Sequence, residues 1–204
     1  MRRAALSREE MLERLLEVFR EHGYEGASIV DLMQAIGLQK GSLYHHFPGG
    51  KAEMADAVLA HVEALFEAMV FAPLRLAPHP ADGLAAMNRA LERYFASGTK
   101  VCLPALIGLG SARDRFGQAI EGFFRRWLAA LVETLVRAGV PPGQAAIDAE
   151  RMVAEIQGGI VLARALGRPE PFLRALTRVA LPSCHSHGGA AAQDGLHSVC
   201  GNRP

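Results

Sequence analysis

Ser28-Ile29-Val30-Asp31-Leu32-Met33-Gln34-Ala35-Ile36-Gly37-Leu38-Gln39-Lys40-Gly41-Ser42-Leu43-Tyr44-His45-His46-Phe47 is the stretch on which the fold turns. Ser28 with Asp31 is a helix-start signal, because the hydroxyl and the carboxylate satisfy the first free amides reciprocally. Ile29, Leu32 and Ile36 then share one helical face, and Gly37 stops the helix. A second short helix runs through Phe47 and is closed by Pro48-Gly49-Gly50. Two short helices joined by a tight turn are the geometry of a helix-turn-helix. The second helix of such a unit sets an apolar side on the core and a polar side in the major groove of DNA. With Leu43 inward and about 100° per residue, Gly41 and His45 point almost directly away, and Ser42 and Tyr44 lie on the flanks. Leu38 and Phe47 complete the inward side.

Charge placement agrees with that reading, although total charge does not advertise it. The 204 residues carry a net charge of only +1, so no global basic field marks a nucleic-acid partner. From Gly37 to Lys51, however, there is no Asp or Glu, and Lys40 and Lys51 are joined by His45 and His46. Lys40 stands at a helix start, where its charge and the free amides both attract phosphate. The helix before this unit opens with the capping box Ser7 and Glu10 and is acidic, with Glu9, Glu13, Glu17, Glu21 and Glu25. The expected picture is a positive reading face with an acidic back. On composition alone, a short helix with Tyr, His and Phe is more often just a packed surface helix.

The order of the residues adds weight. Phe19-Arg20-Glu21-His22-Gly23-Tyr24-Glu25-Gly26-Ala27-Ser28, Asp31-Leu32, Ile36-Gly37-Leu38 and Lys40 to Phe47 together resemble the amino-terminal signature of the TetR family of repressors. That resemblance implies a dimeric regulator of transcription with a DNA-binding head and a ligand-binding body. Carried over position by position, it makes Ser28 the cap that meets a phosphate. Gln39, Lys40, Gly41 and Ser42 become the start of the recognition helix, Tyr44, His45 and His46 its DNA-facing part, and Lys51 a backbone grip. The family commonly has two residues between that Phe and that Lys, whereas this chain has three, Pro48-Gly49-Gly50. More weakly, His46 to Lys51 and the stretch from Arg126-Trp127 to Ala138-Gly139-Val140-Pro141-Pro142 are similar to the LmrA/YxaF-like branch.

Beyond the head the chain keeps a helical period, and no useful length alternates with a period of two. Helices are expected from Lys51 to about Phe71, Asp82 to Ser97, near Pro104, Asp114 to Ala138, Pro142 to Leu166, and from Glu170 to just before Pro182. Pro73, Pro78 and Pro80 mark a loop. The fold class is all-α, with a three-helix head at 1–50 and a larger helical ligand-binding and dimerisation domain at 51–182. Residues 183–204, rich in Gly, Ala, Ser and His, read as a disordered tail.

Within the body, Phe116, Ile120, Phe123, Trp127, Leu131 and Leu135 repeat at helical spacing, as any core stripe does. The resemblance adds a small-molecule effector, apolar, aromatic or cationic, expected near Phe95, Phe123, Trp127 and Met152. A homodimer interface is expected on the last two helices, at Ile156, Gly158, Gly159, Ile160, Ala163, Phe172, Leu176 and Val179. Its basis is that the first of these helices is apolar almost all round and carries two glycines that invite a crossing backbone. The alternative is that the glycines admit a neighbouring helix of the same chain.

Other classes have weaker support. The three cysteines, Cys102, Cys184 and Cys200, are odd in number and form no disulfide framework. Cys102 reads as a small hydrophobe before a redox sensor. Cys184, His185, His187, His197 and Cys200 match no closed zinc spacing, so no metal or other cofactor is expected. No phosphate loop, nucleophile elbow or HExxH motif points to an enzyme. Without an uncharged span of about eighteen apolar residues, or an apolar leader, a cytoplasmic protein with no membrane role is expected. A regulator controlled by redox or by a protein partner is the remaining alternative.

Overall fold

The computed structural model describes residues 6–179, among which every regular element is helical. The segment 183–204, with its Cys and His residues, lies outside the described residues, as does Leu181. The head is α1 (Arg8–Gly26), α2 (Ile29–Ile36) and α3 (Lys40–His46). Both expected capping boxes form. The Ser7 amide donates to Glu10 at 2.7 Å and the Glu10 amide to the Ser7 hydroxyl at 3.1 Å. Ser28 and Asp31 repeat the arrangement at 3.0 and 3.1 Å. Gly37 ends α2 at φ +68°, the left-handed conformation that costs a residue without a Cβ least. Leu15, Phe19, Leu32, Leu43 and Phe47 are fully buried and hold the three helices together.

The body begins with α4 (Gly50–Phe66), which passes through a π turn (Glu67–Phe71) straight into α5 (Ala72–Leu76). The helix therefore runs through Pro73, where a loop is expected from the sequence. The wide turn is the reason. The Ala72 amide reaches back to the Glu67 carbonyl, and the loosened spiral accommodates a proline that would clash with a regular turn. Gly50–Leu76 is long and apolar enough to cross a membrane by length and composition. Met54, Val58, Val62, Phe66, Val70 and Leu74 are nevertheless fully buried, so this is the central core helix.

Next come α6 (Pro80–Tyr94), α7 (Leu103–Leu109), α8 (Arg113–Arg137), α9 (Pro142–Leu166) and α10 (Glu170–Arg178). After α6 the chain turns sharply, with positive φ at Ala96 and Ser97, so the helix stops short of the expected Ser97. α8 and α9 fold back on each other across Gly139, and α10 packs along α9. Side chains close the exposed helix ends. Arg137 donates to the Leu74 and Ala77 carbonyls at the end of α5, and Asn88 to the Leu176 and Val179 carbonyls at the end of α10.

Candidate DNA-binding site and its link to the body

α3 touches the rest of the protein through Leu43, with Phe47 just beyond its last turn, and both are fully buried. Gln39, Lys40, Gly41, Ser42, Tyr44, His45 and His46 are all exposed. Nothing lies within 4 Å of where a Cβ on Gly41 would be, so a flat surface can come close to that backbone. The His45 and His46 rings meet edge to face at 5.8 Å between centroids. This side of the head offers hydroxyls, imidazoles, an ammonium and bare backbone, with no carboxylate among the α3 residues.

Two of the expected phosphate contacts already have work inside the chain. The Ser28 hydroxyl donates to Asp31 at 2.6 Å, which holds that carboxyl below the usual range, and Ser28 remains exposed. Lys51 is half-buried. Its ammonium donates to the Ala27 carbonyl at 2.9 Å and to the Glu25 carbonyl at 3.3 Å, and sits 4.7 Å from the centre of the Tyr24 ring. A lysine at the start of α4 thus secures the segment just past the end of α1. The extra residue before Lys51 is absorbed by Gly50, at φ +65°, whose amide donates to the Phe47 carbonyl at 2.9 Å.

Head and body meet along α1. The Glu25 carboxylate accepts from the Ser111 hydroxyl at 2.6 Å and the Ala112 amide at 2.8 Å, where α8 begins. The Ser111 hydrogen bond, followed by backbone amides, holds the Glu25 carboxyl below its ordinary range. Tyr24 meets Phe116 edge to face at 4.9 Å. Lys100 donates to Glu17 at 2.9 Å, and Arg20 lies over the Tyr94 ring at 4.5 Å. None of these links was legible in the sequence. Glu25 and Ser111 are 86 residues apart, and no local period announces such a pair.

The effector residues proposed from the sequence gather in one buried aromatic cluster. Phe66, an unflagged residue of α4, is the hub, with Phe123 at 4.8 Å, Trp127 at 5.5 Å and Phe95 at 6.3 Å between ring centres. Met152 on α9 is fully buried in the same core. Trp127 Nε1 and His61 Nε2 are buried without a hydrogen-bond partner among the described residues. Cys102 is 3% exposed, and burial pushes its thiol up, which opposes the thiolate a redox sensor needs.

The residues expected at a dimer interface lie mostly inside the single chain. Ile156, Gly159, Ile160, Ala163, Phe172, Leu176 and Val179 are buried against their own chain, and of the set only Gly158 is exposed. The close backbone crossing expected at Gly159 is made by α10, since a Cβ there would lie 3.1 Å from the Phe172 Cα and 3.2 Å from the Pro171 carbonyl. Sequence shows that a helix is apolar all round, but not which neighbour takes each side. The large apolar residues of α9 that stay exposed are Ile147, Val161, Leu162 and Leu166.

The profile of bacterial regulatory proteins of the tetR family matches residues 11–58, which contain this head apart from the first residues of α1. That of the LmrA/YxaF-like transcriptional regulator C-terminal domain matches residues 80–178. The chain belongs to the TetR family. This TetR-family protein is 27% identical over 173 residues to the HTH-type transcriptional regulator LmrA of Bacillus subtilis, spanning 82% of this chain and 91% of the relative. A TetR transcriptional regulator from Legionella pneumophila shares the fold at TM-score 0.74 and 20% identity, over 88% of this chain and 97% of that one. The regulator CifR, solved as a cysteine mutant with 26bp double-strand operator DNA, superposes at TM-score 0.66 and 25% identity, over 87% of this chain and 97% of its own. The TetR-family chain described here is accordingly a transcriptional regulator with a helix-turn-helix head, not an enzyme.

Proposed function

We propose that this regulator is a cytoplasmic repressor that grips a palindromic operator as a homodimer and lets go when its body takes up a small apolar or aromatic ligand. The observation that carries the DNA half is the asymmetry of α3, which is held by Leu43 and leaves its polar residues outward. A helix so anchored can enter a major groove without disturbing the core behind it. His45 and Gly41 face base edges, while Lys40, Ser42 and Tyr44 meet phosphates beside the groove. Support for the ligand half is Trp127, whose buried N–H lacks a partner among the described residues, in an otherwise apolar cluster. A ligand carrying one acceptor would satisfy it, at the expense of opening the packing around Phe66 and Phe123.

The test is a footprint on the DNA flanking the protein's own gene, repeated with compounds that quench the single tryptophan. A palindromic protected site is expected, with operator affinity shifted by a coupling free energy on the order of 1–3 kcal/mol when a quenching compound is bound. No protection on any flanking or genomic fragment would remove the repressor reading. Quenching without a change in operator affinity would remove the inducer.

A further inference from the structure

Arg20 is the one arginine buried within the described residues, at 6% exposed, and it sits on the head's α1 facing the body. Its Nη1 donates to Glu17 at 2.8 Å, and its Cζ stacks on the Tyr94 ring. The other edge of the guanidinium, Nε with Nη2, is fully buried and has no partner among the described residues. The Tyr94 hydroxyl is buried and unpartnered as well, and burial pushes that phenol well up, which keeps its proton on as a donor. Buried donors are almost always satisfied, so three in one place ask for an acceptor. Nε and Nη2 form a planar fork whose spacing matches two oxygens of one carboxylate.

Both residues line a cleft of about 480 Å³ between α1, α4 and α6, walled also by Glu13, Arg14, Leu16, Glu17, Leu65, Arg93 and Lys100. Four cations thus face two carboxylates, and Leu16 and Leu65 supply an apolar floor. Glu17 and Lys100 pair across the mouth at 2.9 Å with side chains 49% and 41% exposed, so they can swing aside without disturbing the core. Burial works against the Glu17 charge, but the Lys100 hydrogen bond and the Arg20 charge outweigh it and hold the carboxyl below its ordinary range. Glu17 therefore stays ionised and takes only one edge of Arg20.

We propose that this cleft at the seam of head and body is a binding site for a small organic carboxylate, held side-on by Arg20 Nε and Nη2 and by the Tyr94 hydroxyl. The hydrocarbon part of the ligand rests on Leu16 and Leu65. The cleft borders the aromatic core in which an inducer is placed above, since the Tyr94 ring meets Phe66 edge to face at 5.1 Å, but it shares none of Phe95, Phe123, Trp127 and Met152 and stands whether or not that inducer exists.

Benzoate is a suitable probe, with benzamide as its uncharged counterpart and inorganic phosphate as an oxyanion without an apolar part. A ligand that binds only the folded chain raises its melting temperature with concentration, so thermal melts without DNA read the site directly. Benzoate in the millimolar range is expected to raise the midpoint while benzamide leaves it unchanged and phosphate does less than benzoate. Tyr94→Phe, which removes only the hydroxyl, and Arg20→Lys, which keeps the charge but loses the fork, should each weaken benzoate roughly tenfold. Circular dichroism establishes that both variants fold. Benzoate shifts that are equal in the wild type and both variants would overturn the proposal, because the anion then sits elsewhere. So would the lack of any shift up to tens of millimolar benzoate, or phosphate acting more strongly than benzoate. Since no operator is used, failure here leaves the repressor reading intact, and failure of the footprint leaves this site intact.

Discussion

The Lys51 ammonium has three N–H donors, and the fold directs two of them to carbonyls at the end of α1, that of Glu25 in its last turn and that of Ala27 just past it. The third is left for an operator phosphate under the proposed function, which would make this one side chain both a tie between the helix-turn-helix and α4 and a backbone contact. Lys51→Ala should weaken binding to all DNA sequences about equally and flatten the salt dependence by about one phosphate equivalent. It should also lower the stability of the protein by about 1 kcal/mol, because two carbonyls lose a charged donor. Equilibrium unfolding and salt-titrated operator binding separate the two effects. A stability loss with an unchanged salt slope would make Lys51 a structural tie alone. His45→Ala should behave differently, leaving stability nearly untouched and relaxing sequence preference at one base position by about 1–3 kcal/mol, because the ring is exposed and meets only the equally exposed His46 ring among the described residues.

Among the elements, α9 carries two adjacent glycines in opposite situations. Gly158 faces outward with nothing within 4 Å of a would-be Cβ, whereas Gly159 faces α10, with the Ala175 Cβ at 2.9 Å and the Phe172 Cα at 3.1 Å. Gly158→Ala should stabilise the free chain by about 0.5–1 kcal/mol, the helix-propensity gain of adding a Cβ in open space. Gly159→Ala should destabilise it by roughly 1–3 kcal/mol, because the helix must be pushed off backbone atoms that cannot rotate away. Thermal or denaturant unfolding of the pair decides the matter. Equal effects would show that α10 does not press on α9 at Gly159. The same contrast explains why the interface reading taken from sequence settled on the inner residues. Both glycines lie in one apolar run, and only the position of α10 tells them apart.

For the whole molecule, the outstanding feature is the apolar side of α9 left open among the described residues, where Val161 is 63% and Leu162 53% exposed. Together with Gly158 and Leu166 they lie at helical spacing, beside a groove that Arg174 and Arg178 of α10 border. A second copy meeting this strip would bury it and set two heads in two-fold relation, as a palindromic site requires. Leu162→Glu should give a folded monomer by size exclusion, with operator affinity lower by roughly a hundredfold or more, because each half-site is then bound alone. A dimer that survives this change and still binds operator would place the interface elsewhere.

Local signals carried much of this architecture. The boxes at Ser7 and Ser28, the stop at Gly37, the limits of α9 and the inward turn of Leu43 were all legible, because capping and helical period act among residues within about a turn of each other. They suffice to define an all-helical chain with a reading helix near its amino terminus. What the sequence left open depends on which helices meet. Lys51 turning back to α1, Glu25 reaching the start of α8 and Arg20 sealed against Tyr94 are contacts between residues far apart in the chain. So is the division of α9 into a side taken by α10 and a side left open among the described residues, since the run from Ile156 to Ala163 reads as apolar on both. Such choices are settled by shape and volume when the helices pack, and hydrophobicity along the chain records that a face must be buried without recording against what.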